Sequence, residues 1–201
     1  MTQIAIIDYG LGNLRSVMRG LEKAGARTTI TSRAEEIAAA DGLVLPGVGA
    51  FREGMEQLGP LKAAVTAATR DVPLLGICLG MQMLMETSEE HGIHEGLALI
   101  PGTVKGFTRK AGFKVPHMGW NSLVPEKPDN PLLSGIRAGE YMYFVHSFYA
   151  DTAPEYTLTT TEYCCPFASA VFHERVYGVQ FHPEKSGVPG LRMLKNFIDM
   201  V

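Results

Sequence analysis

The 201-residue chain has little net charge and no long apolar run. Lys and Arg total 18 against 21 Asp and Glu, a net charge of −3 with the two signs interspersed, so no basic face is available for nucleic acid. No apolar stretch approaches the roughly 20 residues that a membrane-spanning helix needs. The composition therefore indicates a protein whose partners are neither nucleic acid nor a lipid bilayer.

Cysteine and linker-like sequence are also scarce. Three cysteines, an odd number, do not suggest a disulfide framework, and the first residues lack the basic and apolar regions of a secretory signal. We therefore expect a reduced, cytoplasmic protein. No stretch rich in Gly, Ser or Pro, no repeat and no low-complexity segment divides the chain, so residues 1–201 are expected to form one domain.

Short apolar strands alternate with helices over the first half of the chain. Residues 3–8 predict a strand and 14–23 a helix that Gly25 ends, and the same alternation then repeats. Such a pattern favours a three-layer α/β fold, with a mostly parallel, doubly wound sheet between helices. The other predicted elements are strands at 27–31, 42–45 and 72–77, and helices at 34–39, 61–69 and from 79 to about 87.

Beyond Gly92 the pattern changes to short strands with turn signals between them. We expect these strands to extend the same sheet or wrap its edge, adding antiparallel strands to it. Apolar residues at helical spacing over 188–200 predict a closing helix. The expected strands are 102–107, 116–124, 141–149, 156–162, 168–173 and 176–181.

Cys78 lies where the sequence pattern of a strand changes to that of a helix. The apolar run up to Ile77 does not alternate, as in a strand covered on both faces, and helical spacing begins at Leu79. Gly76 and Gly80 flank the cysteine, as a sharp strand-to-helix turn requires. A thiol there lies near unpaired backbone N–H groups that favour the thiolate. Cys78 is predicted to be a nucleophile, with a buried structural cysteine as the alternative.

The loop 46–51, Pro-Gly-Val-Gly-Ala-Phe, lies at the carboxyl edge of the predicted sheet, where open α/β sheets place their sites. Glycines on both sides of Val48 allow the backbone to turn its N–H groups outward, as an oxyanion site made of main chain requires. A plain turn is the alternative. The earlier loop at 9–13 lacks the third glycine of a dinucleotide fingerprint and is predicted to be a turn.

His182 is the strongest of six histidines for the base that a cysteine nucleophile needs. It ends the apolar run Tyr-Gly-Val-Gln-Phe-His-Pro-Glu, and Pro183 biases it toward extended geometry. Residues i and i+2 of an extended chain point to the same face, so Glu184 is predicted to reach back and orient the imidazole. A structural histidine at a strand end is the alternative.

Other polar residues are weaker candidates. His91 and His94 are spaced i and i+3, but no further Cys, His or carboxylate cluster has zinc-site spacing, so no metal is expected. His146 ends another predicted strand, where it could line the same cleft. Gln82 lies one helical turn after Cys78 on the same face, where it could touch a substrate.

Three glutamates and two cysteines complete the candidates. Glu86, Glu89 and Glu90 crowd the end of the helix that follows Cys78, where the macrodipole disfavours negative charge. A glutamate that faces the cleft would suit a substrate ammonium group, and a solvated run is the alternative. Cys164 and Cys165 are adjacent and lack a neighbouring histidine or glycine elbow, so we predict a packing role.

Taken together, three blocks resemble the class I (triad-type) glutamine amidotransferases: Pro-Gly-x-Gly at 46–49, Gly-Ile-Cys-Leu-Gly-Met-Gln at 76–82 and Phe-His-Pro-Glu at 181–184. More narrowly, the chain is similar to the glutaminase subunits of imidazole glycerol phosphate synthases, from Ile4 to the final helix. The blocks that carry this closer similarity are Ile-Asp-Tyr-Gly-x-Gly-Asn at 7–13, Pro-Gly-Val-Gly-Ala-Phe at 46–51, Pro-His-Met-Gly-Trp-Asn at 116–121 and Tyr-Phe-Val-His-Ser at 143–147. The resemblance implies a flavodoxin-like α/β fold.

The resemblance also implies a reaction: hydrolysis of glutamine to glutamate and ammonia through a cysteinyl thioester, with no cofactor. Cys78 would attack the amide carbon, His182 would transfer protons and Glu184 would hold the imidazole. The oxyanion would be bound by the backbone N–H groups of Leu79 and Val48. Family analogy places the amino-acid part of glutamine against Gln82, Glu90 and the Ser147–Phe148 backbone, with Gly47 and Gly49 at its border.

A partner follows from the same resemblance, because ammonia at neutral pH is mostly protonated unless it passes directly to an acceptor. The implied partner is a TIM-barrel cyclase that forms imidazole glycerol phosphate for histidine synthesis, bound as a heterodimer. Met118 and Trp120 would anchor that interface if exposed, and a place in the core is the alternative. The candidate interface residues are Asn13, Met118, Trp120, Asn121, Tyr143 and Lys185.

Three other functions are compatible with parts of this pattern. Gly-x-Cys-x-Gly also occurs in other cysteine hydrolases, such as peptidases, on similar scaffolds. A relative without activity could keep only the partner surface, although all three triad positions are present. A glutaminase of this class could also serve a different synthase, such as those that make anthranilate, pyridoxal phosphate or GMP.

Overall fold

A parallel sheet with helices on both faces forms the N-terminal half of the computed structural model, which describes residues 2–201. The strands are β1 (Gln3–Ile7), β2 (Arg27–Thr31), β3 (Gly42–Gly47) and β4 (Leu74–Cys78). The helices are α1 (Leu14–Lys23), α2 (Ala34–Ala38), α3 (Phe51–Leu58), α4 (Lys62–Ala68) and α5 (Leu79–Met83). The strands lie in the order β2-β1-β3-β4, and all run parallel.

Alternate side chains of the central strands enter two separate cores. Ile4 and Ile6 of β1 belong to a cluster with α1, whereas Ala5 and Ile7 belong to a cluster with α2, α3 and α4. Successive side chains of a strand point to opposite faces, so a strand covered on both faces must be apolar throughout. β3 and β4 are accordingly buried at every position. The carboxyl ends of these two strands meet at one edge, where the loop after β3 and the turn after β4 lie side by side.

The C-terminal half consists mainly of strands that pair antiparallel, most of which extend the same sheet. They are β5 (Met85–Ser88), β6 (His94–Glu95), β7 (Ile100–Gly106), β8 (His117–Ser122), β9 (Val124–Pro125), β10 (Tyr141–His146), β11 (Phe148–Asp151), β12 (Thr157–Glu162), β13 (Pro166–His173) and β14 (Val176–Val179), followed by helix α6 (Gly187–Asp199). β14 pairs parallel with β4, and the sheet continues through β13, β11, β7, β5 and β6. β8 and β10 form a separate antiparallel pair. The predicted α/β fold with added antiparallel strands is confirmed.

The helix after Cys78 is shorter than the sequence predicts. It ends at Met83 instead of near Thr87, and β5 begins two residues later. The Leu84 carbonyl accepts hydrogen bonds from the N–H groups of residues 99 and 100, so it is not free to continue the helix. Pairing with the distant strand β7 therefore replaces the last predicted turn.

The predicted strand 141–149 consists of two strands that belong to different sheets. β10 pairs with β8, whereas β11 pairs with β7 and β13. Ser147 is the break, and its carbonyl accepts from the N–H of Phe107. The change of sheet turns the chain at Ser147, close to the end of β4. Helix α3 has no counterpart among the predicted elements.

Candidate active site

Cys78 occupies a strained turn between β4 and α5. Its backbone has φ 55° and ψ −111°, a combination that a residue with a Cβ adopts only under constraint. A Cβ at Gly80 would lie 1.8 Å from the Leu45 carbonyl oxygen, and a Cβ at Gly76 would lie 2.8 Å from the carbonyl oxygen of Gly80. The two glycines let the strand and the helix approach closely enough to form this turn, which places the cysteine at the carboxyl edge of the sheet.

His182 and Glu184 form a buried pair on the segment that follows β14. Nδ1 of the imidazole lies 2.9 Å from Oε1 of the carboxylate, and the two side chains are 3% and 0% exposed. The predicted reason for this contact, alternation along an extended strand, is wrong. Residues 183–185 form one turn of 3₁₀ helix, which turns Glu184 back toward the ring. The backbone of His182 is fixed in turn, because its N–H donates to the Tyr143 carbonyl and its carbonyl accepts from Ser186 Oγ.

Cys78 and Glu184 together determine the charge of His182. Burial lowers the pKa of this imidazole, but hydrogen bonding and charge interactions with Cys78 and Glu184 outweigh it and raise the pKa to about 9. Nδ1 contacts Glu184, so the interaction with Cys78 falls to Nε2, which is buried and has no other hydrogen-bond partner within residues 2–201. The imidazole therefore lies beside the Cys78 sulfur, where a base for a cysteine nucleophile is needed.

Cys78 and His182 line one cavity of about 610 Å³. An opening of about 700 Å³ along the loop 107–115 is larger, but neither of these two residues borders it. The Cys78 cavity lies within the usual volume range of small-molecule sites and is large enough for an amino acid. Its lining consists of Val48, Gly49, Cys78, Leu79, Gln82, Glu90, His91, Pro116, Val145, His146, Ser147, Phe148 and His182.

Two of the predicted substrate contacts are held in place by hydrogen bonds. Gln82 Nε2 donates to the Phe148 carbonyl at 2.9 Å and to Gln180 Oε1 at 3.0 Å. Glu90 Oε2 accepts from the N–H of Phe51 at 2.6 Å, which ties it to the first residue of α3, just after the 46–50 segment. Both side chains are therefore fixed at the wall of the cavity.

The predicted oxyanion loop lies between the Cys78 turn and the loop that precedes α1. Gly47 pairs with Cys78 in the parallel ladder, and a Cβ on it would lie 2.4 Å from Tyr9 Oη. A Cβ on Gly12 would lie 3.4 Å from the Pro46 carbonyl oxygen. Gly47 is thus fully enclosed and does not line the cavity, whereas Val48 and Gly49 do. Gly49 has φ 109°, a conformation that favours glycine.

His146 is part of a buried histidine pair. Its Nδ1 lies 2.7 Å from the Phe148 carbonyl, and its Nε2 lies 2.9 Å from Nδ1 of His117. A carbonyl oxygen can only accept, so His146 carries its proton on Nδ1, and its Nε2 accepts from His117. His146 therefore borders the cavity with both ring nitrogens already engaged.

We expect the buried His117–His146 pair to make the folded chain less stable in acid. Burial is the main cause that lowers the pKa of His117 to about 4 and of His146 to about 3, and the charges of His117 and His182 add to the effect on His146. As the pH falls below about 6.5, the unfolded chain binds two protons that the folded chain does not. The free energy of unfolding should therefore fall, by on the order of 1 kcal/mol per pH unit for each histidine.

Urea denaturation between about pH 7 and pH 4.5 measures this slope. The double variant His117→Phe, His146→Leu removes both groups and should show a shallower slope than the unaltered chain, whatever its stability at neutral pH. Equal slopes in the two proteins would mean that other groups cause the acid sensitivity.

Three of the predicted interface residues are exposed. Met118 and Trp120 on β8 are 63% and 55% exposed, so neither belongs to the core. Trp120 lies opposite Tyr143 of β10, with the ring centroids 5.9 Å apart. Lys185, next to Glu184, is exposed.

Two other predicted interface residues are at least partly engaged within the chain. Asn121 Nδ2 donates to the Glu162 carbonyl and lies 3.3 Å from His117 Nε2. Asn13 precedes α1, where its carbonyl accepts from the N–H groups of Ser16 and Val17. Both residues are half-buried.

Several residues of the site are absent from the sequence-based predictions, among them Pro116 and Val145 in the wall of the cavity. Gln180 is fully buried, with Nε2 3.8 Å from the Cys78 sulfur. It precedes His182 by two residues, and this spacing is the only signal that could have identified it. Tyr9 is buried against the same turn, and burial together with Cys78 raises its pKa. His117 completes the histidine pair described above.

Within residues 2–201 the structure contains neither a metal-binding cluster of His, Cys, Asp or Glu nor a membrane-spanning helix. No group of three or more His, Cys, Asp or Glu in this range is arranged to hold a metal ion, and none of the helices there is long and apolar enough to cross a membrane. Cys164 is buried, Cys165 is half-buried and both are free thiols.

The comparison with protein families agrees with this geometry. Residues 5–201 match the class-I glutamine amidotransferase family, and the chain belongs to that family. It is 53% identical over 203 residues to the imidazole glycerol phosphate synthase subunit HisH of Methanosarcina mazei, with full coverage of both chains. The subunit of the same name from Moorella thermoacetica is 50% identical, with coverage of 100% of this chain and 96% of the relative. The resemblance read from the motifs is confirmed.

Solved structures show the same fold at much lower identity. A putative GMP synthase protein of Thermoplasma acidophilum superimposes with a TM-score of 0.75 at 23% identity, covering 100% of this chain and 94% of the other. The glutaminase domain of Trypanosoma brucei CTPS, with bound acivicin, gives 0.70 at 17% identity and covers 100% and 92%. The architecture is therefore shared well beyond the relatives that resemble this chain in sequence.

Proposed function

We propose that this chain is the glutaminase subunit of an imidazole glycerol phosphate synthase, acting in the cytoplasm as a single domain without a cofactor. One observation carries the proposal: Cys78, on a strained turn, and His182, held by buried Glu184, line a single cavity that is large enough for an amino acid. Relatives about half identical over their whole lengths carry the name of that subunit. The geometry supports the chemistry, and the relatives support the particular synthase.

The first half of the reaction forms a thioester. The Cys78 thiolate attacks the side-chain amide carbon of glutamine, and the C–N bond breaks as the His182 imidazolium gives its proton to the departing nitrogen, which leaves as ammonia. The oxyanion formed on the way is assigned to the backbone N–H groups of Leu79 and Val48, because both residues border the same cavity as the sulfur. Glu184 keeps the imidazole oriented throughout.

The second half regenerates the thiolate. His182, now neutral, takes a proton from water, and the resulting hydroxide attacks the thioester carbon. The C–S bond breaks, glutamate leaves and the proton remains on His182. The amino-acid part of the substrate is assigned to Gln82, Glu90 and the Ser147–Phe148 backbone, because these border the same cavity and Glu90 supplies a carboxylate for the substrate ammonium group.

Ammonia must then reach an acceptor without entering bulk water, where it would be protonated. The ridge of exposed Met118 and Trp120 and half-buried Tyr143 is formed by β8 and β10, and β10 also contains Val145, which borders the cavity. Large apolar and aromatic side chains of this kind serve as interface anchors. We assign this ridge, with Asn13, Asn121 and Lys185, to the contact with a TIM-barrel cyclase.

The test measures glutamate and ammonia release from glutamine by the chain alone and with the cyclase loaded with its nucleotide substrate. Hydrolysis should be slow alone and rise roughly 10- to 100-fold in the loaded complex, because the 47–49 loop must present the Val48 N–H to the oxyanion. Absence of glutamate under every condition would overturn the proposed function. Equal rates with and without the cyclase would overturn only the coupling.

The same complex tests the interface. Trp120→Ala should weaken binding of the cyclase by about tenfold or more, as expected on truncation of an aromatic anchor. Ile93→Ala is the matched control, since Ile93 is 72% exposed but lies outside the ridge. Titration calorimetry measures both affinities, and an equal small effect of the two substitutions would place the interface elsewhere.

A further inference from the structure

Gln180 places an amide group directly against the Cys78 sulfur. Its side chain is fully buried, and Nε2 lies 3.8 Å from Sγ, within the range of an N–H···S hydrogen bond. Its other end, Oε1, accepts from Gln82 Nε2 at 3.0 Å. The Gln180 amide therefore joins a wall of the cavity to the sulfur.

The orientation of this amide follows from the groups around it. Gln82 faces the Phe148 carbonyl, which can only accept, so the NH₂ end of Gln82 must point there. The same NH₂ group donates to the Gln180 amide, so the Gln180 oxygen must be the atom that accepts. The nitrogen of Gln180 is then the end that faces Cys78. The Phe148 carbonyl thus decides, through Gln82, which end of Gln180 meets the sulfur.

The Phe148 carbonyl is itself fixed by a second donor. His146 Nδ1 donates to it at 2.7 Å, and His146 Nε2 accepts from His117. Both lone pairs of the oxygen are therefore engaged, one by a neutral histidine and one by Gln82. Flipping either glutamine amide would place two donors or two acceptors against each other. The hydrogen bonds that link the Phe148 carbonyl, Gln82, Gln180 and the sulfur can therefore be oriented in only one way.

We propose that Gln180 is a positioning residue for the nucleophile. It donates a hydrogen bond to the Cys78 sulfur in a direction set by Gln82 and the Phe148 carbonyl. The inference rests on the proposed function for its catalytic meaning, although the contact itself does not depend on the substrate. The N–H donor stabilises the thiolate and directs Sγ, while the thiol form has an acceptor of its own in the Val145 carbonyl, 3.8 Å away.

The sulfur has few other charged or titratable neighbours. His182 and Tyr9 are the titratable groups that interact with Cys78, Glu184 lies behind His182, and Glu90, His91 and His146 border the same cavity. Tyr9 is kept in its neutral form, since burial and Cys78 raise its pKa. Gln180 is thus an uncharged donor to the sulfur, and its own protonation does not change with pH.

The experiment compares Gln180→Met and Gln180→Glu with the unaltered chain in the cyclase complex. Gln180→Met keeps the length of the side chain but removes its donor, and Gln180→Glu keeps the acceptor for Gln82 but faces the sulfur with a carboxyl group. The readout is the pH dependence of Cys78 alkylation by iodoacetamide, followed on the Cys78 peptide by mass spectrometry. Alkylation of half-buried Cys165 in the same samples reports whether the fold is intact.

The midpoint of the Cys78 profile should rise by about one pH unit in Gln180→Met, as expected for loss of one hydrogen bond to a charged group, and further in Gln180→Glu. Glutamine turnover should show kcat lowered by roughly tenfold, with KM changed little. An unmoved midpoint in both variants, with Cys165 reactivity unchanged, would overturn the role. Alkylation needs no glutamine, so a shifted midpoint in a chain without glutaminase activity would overturn the proposed function and leave this inference standing.

Discussion

Cys78→Ala should lower glutamine hydrolysis by the cyclase complex on the order of 10⁴-fold or more, since no other group can form the thioester. The substitution removes only the sulfur from a side chain that is 7% exposed, so the fold and the cyclase surface should persist. Synthesis from added ammonium salts should therefore continue at the rate of the unaltered complex. Coupled assays with glutamine and with ammonium as nitrogen source measure the two rates separately.

Cys165→Ala is the control, because Cys165 is a free thiol that does not border the Cys78 cavity. It should leave the rate of synthesis unchanged with either glutamine or ammonium as the nitrogen source. Loss of both activities in Cys78→Ala would mean that the chain serves mainly as a scaffold for the cyclase. Retention of glutamine-dependent synthesis in Cys78→Ala would exclude cysteine catalysis.

Gly80→Ala should destabilise the chain by about 3 kcal/mol or more, which is large for one added methyl group. In a helix, alanine is ordinarily favoured over glycine by up to about 1 kcal/mol. Here the new Cβ would lie 1.8 Å from the Leu45 carbonyl oxygen, so α5 must move away from β3. Movement of α5 displaces Cys78 and Gln82 as well, and glutamine hydrolysis should be lost even where the variant folds.

Gly59→Ala provides the matched comparison. Gly59 has φ −40° and ψ −51°, and apart from its chain neighbours nothing lies within 4 Å of a Cβ built on it. Pro60 follows it and disfavours helical backbone at a preceding residue that has a Cβ, which offsets the gain from replacing glycine. The substitution should therefore change stability by less than about 1 kcal/mol. Urea denaturation compares the two variants, and a Gly80→Ala chain as stable as Gly59→Ala would show that the turn at Cys78 can open without cost.

Short sequence patterns were sufficient to predict those elements that are determined by residues close together in the chain. The non-alternating apolar runs of β3 and β4 reflect burial on both faces, and this pattern is legible without any partner. The flanking glycines of Cys78 identify the turn for the same reason, because backbone approach excludes a Cβ. His182 and Glu184 were found through their spacing, although the 3₁₀ turn, and not strand alternation, brings them together.

Long-range pairing explains what local patterns missed. The run 141–149 is apolar throughout most of its length, so only the pairing partners of β10 and β11 reveal that it is broken at Ser147. The helix after Cys78 ends early because residues 99 and 100 take the Leu84 carbonyl. Exposure of Met118 and Trp120 likewise depends on β8 lying outside the main sheet, which no periodicity indicates.

The sequence by itself determined the alternation of strands and helices, the family and the identity of the candidate nucleophile, because each depends on residues adjacent in the chain. Only the tertiary structure decided which groups surround that nucleophile. Gln180 and the His117–His146 pair have roles that depend on the direction of hydrogen bonds between segments up to 102 residues apart. Such directions arise from the packing of distant elements around shared donors and acceptors, and they leave no pattern along the chain.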